Sequence, residues 1–538
     1  MPIVPRAKWF LVPLLVTAAC GSDGRPPLAD YRSPPSDDAG AIAVPPPVPD
    51  EVLRVEPRTA VLFLDTAAPM PSAATQKYRV LHRTSSGYED VTSTATFGMR
   101  NPAIGAFAGD TFTSVAQLPA GVDNASSTLT VDAAGETSNA TITVVAIPRS
   151  GEGREFFFVV PLNQAPSPAS DVLPFTTRIQ AADVAFVMDT TGSMGSAIGA
   201  LKTQLTASLL GRLQAAIPSV GLAVVSHRDE SDDAELVSVK QPVTTVLADA
   251  QGAVKLLGAG GGGDGPEGQI AAMFHVLTGA AVGVVPKHVA PAPRRGGADF
   301  RPGALPVIVL ISDASWHDPS GGQTAATLAS AFSAASARFV ALTPRDQPQA
   351  EALADATRSL VPPKAFVGCA TGQCCTGVGG APRRPTGPGG TCRLEFIYDE
   401  GAPVIGPQVA DAITAIATGS MSDISARPRN DPANPDRVDA TSFIRALRAM
   451  EGGDAAQGCP PLAAKDTDKD GIKDTFIEAP VGTRVCFEVL PAVNTRVVSQ
   501  DKPRFFKAFI DVQAGSGGVS LDTHAVRFMV PPKPLGAN

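Results

Sequence analysis

Four runs along the chain are apolar without alternation: VAFVM (184–188), VGLAVV (220–225), PVIVLI (306–311) and RFVALT (338–343). A strand with one wet face shows a period of two, whereas a strand covered on both faces loses it, so these runs predict parallel strands. Between the first two, Ile198, Leu201, Leu205, Leu209 and Leu213 recur every three or four residues over Ala197–Ile217, the spacing of a helix with one apolar face. Gln269–Leu277 and Gln349–Leu360 read as further helices, Cys392–Tyr398 as the last strand and Gln408–Ala417 as the last helix. Strand and helix in alternation predict a doubly wound α/β (Rossmann-like) domain over residues 178–425.

The flanks follow another rule. Within 52–147, VLRVEP, ATFGM, STLTVDA and ATITVV alternate apolar and polar residues in short runs broken by Pro, Gly and Asn, which predicts a small antiparallel β-sandwich. Residues 148–177 add connecting strands at Glu155–Pro161 and Phe175–Ile179. Residues 426–458 form a connector with a short helix at Ser442–Met450. VCFEVLPAV, FFKAFIDVQA and DTHAVRFMV predict a C-terminal β module over 459–538. The expected class is therefore multidomain, an α/β domain flanked by all-β sandwich-like modules. The piece YEDVTSTATFGMRNPAIGAF resembles bacterial immunoglobulin-like repeats, which implies a stalk.

At 538 residues the chain exceeds what one core supports. A net charge of −8 with no block of Lys or Arg argues against a nucleic-acid partner. The first residues read as an address. Arg6 and Lys8 precede an apolar run, Trp9–Val16, too short to span a bilayer. Thr17-Ala18-Ala19-Cys20-Gly21 then resembles the lipobox of bacterial lipoproteins. The resemblance implies a signal peptide over 1–19, lipidation of Cys20 and a Pro-rich tether over 20–51. It places the protein outside the cytoplasm, anchored by lipid at the outer membrane or surface of a Gram-negative bacterium. Six cysteines remain: Cys369, Cys374, Cys375, Cys392, Cys459 and Cys486. An even number in an oxidising compartment reads as disulfides. Cys459 pairs with Cys486, and the four in the insert 369–392 pair in one of three ways. A zinc site there lacks a nearby ligand His and a CxxC pair.

In open α/β sheets ligands sit beyond the carboxyl ends of the strands. There the first run delivers Asp189, Thr191 and Ser193, alternate positions that an extended turn aims to one side. The glycine run 260–263 leads into Asp264-Gly265-Pro266-Glu267, and the third run ends in Ser312-Asp313. Carboxylates and hydroxyls from three loops are an oxygen donor set, suited to Mg²⁺. The blander account makes Asp189 a helix N-cap and Asp313 a loop residue.

DTTGSM, DGPEG and LISDA, in this order, resemble the metal-ion-dependent adhesion site of von Willebrand factor type A domains, and DGPEG resembles the integrin β I-like form. The resemblance implies Mg²⁺ (or Mn²⁺) held directly by Thr191, Ser193 and Glu267. Asp189 and Asp313 act through bound waters, and one position stays open for a ligand's carboxylate. Ser196-Ala197 stand where integrin β subunits carry acidic residues of a neighbouring calcium site, so that site is not expected. Asp264 matches one ligand of a further metal site.

Asp466-x-Asp468-x-Asp470-Gly471-x-x-Asp474 has the alternating carboxylates and sixth-place Gly of a calcium loop, with the backbone carbonyl of Ile472 at position seven. The twelfth place is Ile477, and Glu478 follows one residue late, so the loop (466–478) is similar to thrombospondin type 3 repeats rather than an EF-hand. Catalysis finds no support: six His residues show no HExxH, Ser226-His227 has no nucleophile elbow, and the glycine run lacks a P-loop Lys. His275 reads as a core His, and Trp316 and His317 as loop packing rather than ligand rim. The expectation is a non-enzymatic surface-binding lipoprotein that captures an acidic group of a protein or glycan through Mg²⁺. The alternative is an envelope scaffold whose divalent sites are structural.

Overall fold

A computed structural model describes residues 51–65, 72–147, 149–150, 153–230, 235–263 and 265–533. The leader, Cys20, the tether up to residue 50 and Asp264 lie outside the described residues. The chain forms two units, Met1–Glu155 with Gln500–Pro503 and Pro531–Asn538, and Phe156–Ser499 with Arg504–Val530.

In the first unit, strands Thr59–Asp65, Glu136–Ile147, Asn124–Ala133 and Thr96–Met99 lie side by side in that order in one sheet. Two three-stranded sheets accompany it. The alternating residues point inward as the pattern requires: Leu129, Val131, Ile142 and Val144 bury against Val55, Val80 and Phe112. Gly105 is obligatory at φ +154°, because a Cβ there would lie 2.3 Å from the Thr113 carbonyl oxygen and 2.4 Å from the Phe112 ring.

The second unit is built around a six-stranded sheet. Its order is Val237–Thr244, Ser219–His227, Ala181–Asp189, Leu305–Ile311, Arg338–Thr343, Glu395–Ile397. All neighbours are parallel except the edge strand Val237–Thr244, which the sequence pattern did not reveal. Successive side chains bury on opposite faces. Val184, Phe186 and Met188 pack with helices α1 (Gly195–Gln204), α2 (Ala207–Ala216), α3 (Leu247–Lys255) and α7 (Ile405–Gly419). Ala185 and Val187 pack with α4 (Gln269–Thr278), α5 (Ala325–Ala335) and α6 (Pro348–Ala356). The single helix expected over Ala197–Ile217 is two: α1 ends with Leu205 as its C-cap, and Thr206 caps α2, its side chain accepting from the Leu209 amide.

The expected class, a doubly wound α/β domain flanked by separate β modules, is corrected. Among the described residues strand outweighs helix, 39% against 22%. Its flanking strands do not stand apart. Phe156–Val159 pairs with Val519–Val530, and Asp171–Phe175 pairs with Val485–Pro491, so segments before and after the parallel sheet join each other. The core that holds Val184 and Phe186 runs on through Phe158, Phe175, Phe487, Phe506 and Phe528. Burial is therefore shared, and among the described residues of 459–538 no separate C-terminal module forms. The helix expected at Ser442–Met450 is a 3₁₀ turn, Ala440–Phe443, followed by strand Ile444–Ala449 against Val485–Pro491. Pairing there overrides the helical propensity of Ile-Arg-Ala-Leu-Arg-Ala.

Three disulfides are present: Cys369–Cys375, Cys374–Cys392 and Cys459–Cys486. The adjacent Cys374 and Cys375 thus pair outward with different partners, one of the three arrangements the insert allowed.

Candidate functional site

Strand Ala181–Asp189 ends on a fully buried carboxylate, that of Asp189. Its Oδ1 accepts from the Thr191 amide at 2.9 Å and the Thr191 hydroxyl at 2.7 Å. Its Oδ2 accepts from the Ser312 hydroxyl at 2.8 Å, and Ser312 in turn accepts from Gln269 Nε2 at 3.0 Å and from the Ala314 amide at 3.2 Å. Asp189 is not a helix cap: α1 begins after Met194, with no side-chain cap. The extended turn expected here is also corrected. The backbone tightens into a 3₁₀ turn at Gly192–Met194, and from this turn Ser193 reaches Asp313, its hydroxyl donating to Oδ1 at 3.1 Å.

The glycine loop closes the third side. The Gly260 amide donates to the Thr190 carbonyl at 3.0 Å, and the Gly192 amide to the Gly261 carbonyl at 3.3 Å. Gly262, at φ +93°, passes so close that a Cβ would lie 3.3 Å from Thr191 Cβ and 3.4 Å from Glu267 Oε1. Buried Glu267 thereby stands beside Thr191. It is fixed from behind by a short parallel bridge, Pro266–Glu267 to Ser315–Trp316. All five sequence-derived residues, Asp189, Thr191, Ser193, Glu267 and Asp313, come to one place; Asp264 lies outside the described residues.

Both hydroxyls donate to carboxylates, which leaves their lone pairs to face a cation. Burial, and after it the charge of Asp189, raises the Asp313 carboxyl above the usual range, against the lowering bond from Ser193. Two carboxylates forced together out of water are the setting a hard divalent cation relieves, and the donors are all oxygens. The set therefore fits Mg²⁺ or Mn²⁺, with Thr191, Ser193 and Glu267 as the residues that would hold it.

The bonds that several neighbours make escaped the sequence reading. Ser312 and Gln269 orient Asp189; both adjoin recognised motifs, but nothing in the spacing marked their hydrogen bonds. His227, the register partner of Asp189, is fully buried, and burial drives its pKa down. Asp229 accepts from the Gly263 amide at 3.1 Å and pairs with His317 at 3.2 Å. Trp316 is buried, edge-on to Phe339, and His275 lies in the core with Nδ1 2.8 Å from the Ala280 carbonyl.

The loop after strand Arg338–Thr343 braces the Asp313 loop. Arg345 Nη2 donates to the Asp313 carbonyl at 3.0 Å, and Gln347 Nε2 to the Ala314 carbonyl at 3.1 Å. The Gln347 amide donates to Glu395 Oε1 at 2.8 Å. Glu395 is buried within 4.8 Å of the Asp346 and Glu351 carboxylates. Burial first, then these charges, push its pKa up to about 7 from 4.5. The folded state thus keeps a proton that the unfolded chain releases near 4.5. This contribution to stability is full below that pH and is lost as pH rises through 7. Glu395→Gln retains an acceptor for Gln347 and never ionises. It is expected to be more stable than wild type at pH 8 by on the order of 2 kcal/mol, and to match it near pH 4. Equal melting differences at both pH values would refute this.

The second predicted metal loop lies between strands Ala464–Lys465 and Thr475–Pro480, not between helices. Asp466, Asp468 and Asp470 bring carboxylate oxygens within 4.8 Å of one another. Asp466 accepts from the Lys469 amide at 2.7 Å and the Gly471 amide at 2.9 Å, with Gly471 at φ +88°. The Ile472 amide donates to Asp470. Asp474, expected as a further ligand, stands outside this trio and accepts from the Thr467 hydroxyl at 2.7 Å. Glu478 pairs with Arg358 at 3.2 Å.

No protein family model and no curated relative matches the chain. Among solved structures it is similar to the pilus adhesin SpaC from Lactobacillus rhamnosus GG in its open conformation. The identity is 10%, over 85% of this chain and 53% of that one, with a TM-score of 0.26. The chain thus spans about half the length of that adhesin.

Proposed function

We propose that the protein is an exported, lipid-anchored surface protein that captures an acidic group of a protein or glycan partner through Mg²⁺. The cation is held at Thr191, Ser193 and Glu267, as in a metal-ion-dependent adhesion site. Asp189 and Asp313 orient the hydroxyls and take the metal's waters. The partner's carboxylate fills the remaining position, and no bond is made or broken. Ca²⁺ at Asp466, Asp468 and Asp470, with the Ile472 carbonyl, stiffens a loop in the segment clipped by Cys459–Cys486.

The observation that carries this reading is the pair of hydroxyl-to-carboxylate bonds made from one turn, Thr191 to Asp189 within that turn's own segment and Ser193 across to Asp313 on another loop. Calorimetric titration of Mg²⁺ into the full chain tests it. Ser193→Ala is expected to weaken binding about 10–100-fold with unchanged melting in chelator. Equal affinity in the two proteins would sink the reading. The scaffold alternative draws on the calcium loop. It would be favoured by a large divalent-dependent melting shift with no metal-dependent binding of carboxylate peptides.

A further inference from the structure

Beside the Asp313 loop stands an exposed cationic side chain, Arg345. Arg345 lies at the carboxyl end of strand Arg338–Thr343, and its Nη2 donates to the Asp313 main-chain carbonyl at 3.0 Å, not to the Asp313 carboxylate. Its loop is pinned to the Asp313 loop at several points. Gln347 donates to the Ala314 carbonyl, and Gln349 bonds the Trp316 amide at 2.8 Å and its carbonyl at 2.9 Å. The guanidinium is thereby fixed in place relative to the proposed cation.

Its nearest anion is Glu400, whose Oε1 lies 3.8 Å from Nη1, at the outer limit of an ion pair. The two side chains are 70% and 65% exposed. A pair so long and so wet is weak, and another anion displaces it at little cost. Arg345 bonds the Asp313 carbonyl and Glu400 reaches Arg345, so the two side chains mark the rim of the same site. A planar fork of donors suits a carboxylate better than a lysine ammonium would. A guanidinium beside Asp313 has no role in holding a cation. It has one in reading what the cation's ligand carries next.

We infer that Arg345 is a specificity-determining residue that binds a second anionic group of the ligand. The ligand class is then a segment with adjacent acidic residues, and not an isolated carboxylate. This rests on the carboxylate-capture reading above. On binding, the second carboxylate replaces Glu400 at Nη1.

The test uses the full chain with Mn²⁺ and two short fluorescent peptides, identical except that one carries a single Asp and the other Asp-Asp. Fluorescence anisotropy reads peptide binding, and electron paramagnetic resonance of free Mn²⁺ reads the metal. Wild type is expected to bind the Asp-Asp peptide about tenfold more tightly. Arg345→Gln should erase that preference while lowering Mn²⁺ affinity by less than about threefold, because Gln347 and Gln349 still pin the Asp313 loop. Glu400→Gln should strengthen Asp-Asp binding about threefold. If wild type binds both peptides equally, or if Arg345→Gln weakens both alike, the inference fails and metal-dependent capture stands. If Mn²⁺ binds and neither peptide does, both fall.

Discussion

Asp189→Ala is expected to weaken Mg²⁺ binding by about 100-fold or more and to destabilise its unit by about 2–4 kcal/mol. The second effect follows from its hydrogen bonds. Both carboxylate oxygens are committed, Oδ1 accepting twice from Thr191 and Oδ2 from Ser312. Ser312 already accepts from Gln269 Nε2 and the Ala314 amide, so its proton has to go to Asp189. Removing the carboxylate orphans the Thr191 amide and two hydroxyls in a buried place. Asp189→Asn is the sharper variant. Whichever way the amide turns, its NH₂ faces either the Thr191 donors or a Ser312 oxygen whose lone pairs are committed. It should therefore destabilise as well, by about 1–2 kcal/mol, and still lose the metal. Calorimetric Mg²⁺ titration beside urea denaturation reads the two effects separately. Wild-type affinity in Asp189→Asn would remove Asp189 from the metal site, and wild-type stability would contradict the hydrogen-bond assignment.

The coming together of the candidate residues was legible because they sit where apolar runs stop. Ala181–Asp189 and Leu305–Ile311 are buried on both faces, so their ends are sharp in the sequence, and the polar residues that follow stand out. The glycine run 260–263 leads into the Glu267 loop, and Gly262 makes the close backbone approach against Thr191 and Glu267 that only a glycine allows there. The joining of Phe156–Val159 with Val519–Val530 was not legible. Strands far apart in sequence leave no local trace of their pairing, and the two flanks therefore read as separate modules. Ile444–Ala449 failed for the opposite reason, a local helical preference overruled by a partner strand. Arg345 carries no motif at all. Its relevance comes from one hydrogen bond to the Asp313 carbonyl, and main-chain carbonyls are invisible to residue-type reasoning.

The same strand that ends at Asp189 begins with another buried carboxylate, and there the effect is expected to be structural only. Asp183 is fully buried and accepts from the Arg301 amide and from Arg301 Nε, both at 2.6 Å. Arg301 spends its remaining nitrogens on the Ser219 hydroxyl at 2.8 Å, the Ala182 carbonyl at 3.1 Å and the Ser219 carbonyl at 3.2 Å. One guanidinium thus ties strand Ala181–Asp189 to strand Ser219–His227. Breaking one side of such a pair leaves an uncompensated buried charge, so Asp183→Ala should cost about 3–5 kcal/mol. The space around the carboxylate is equally committed. A Cβ at Gly221 would sit 2.5 Å from Asp183 Oδ1 and 2.7 Å from Val243 Cγ1, so Gly221→Ala should also destabilise, by about 1–3 kcal/mol. Neither change touches the strand ends. Folded protein of either variant, measured well below its melting temperature, should therefore bind Mg²⁺ with wild-type affinity. A loss of affinity in Asp183→Ala comparable to that in Asp189→Ala would mean that the strand's position, and not the chemistry at its end, sets the site.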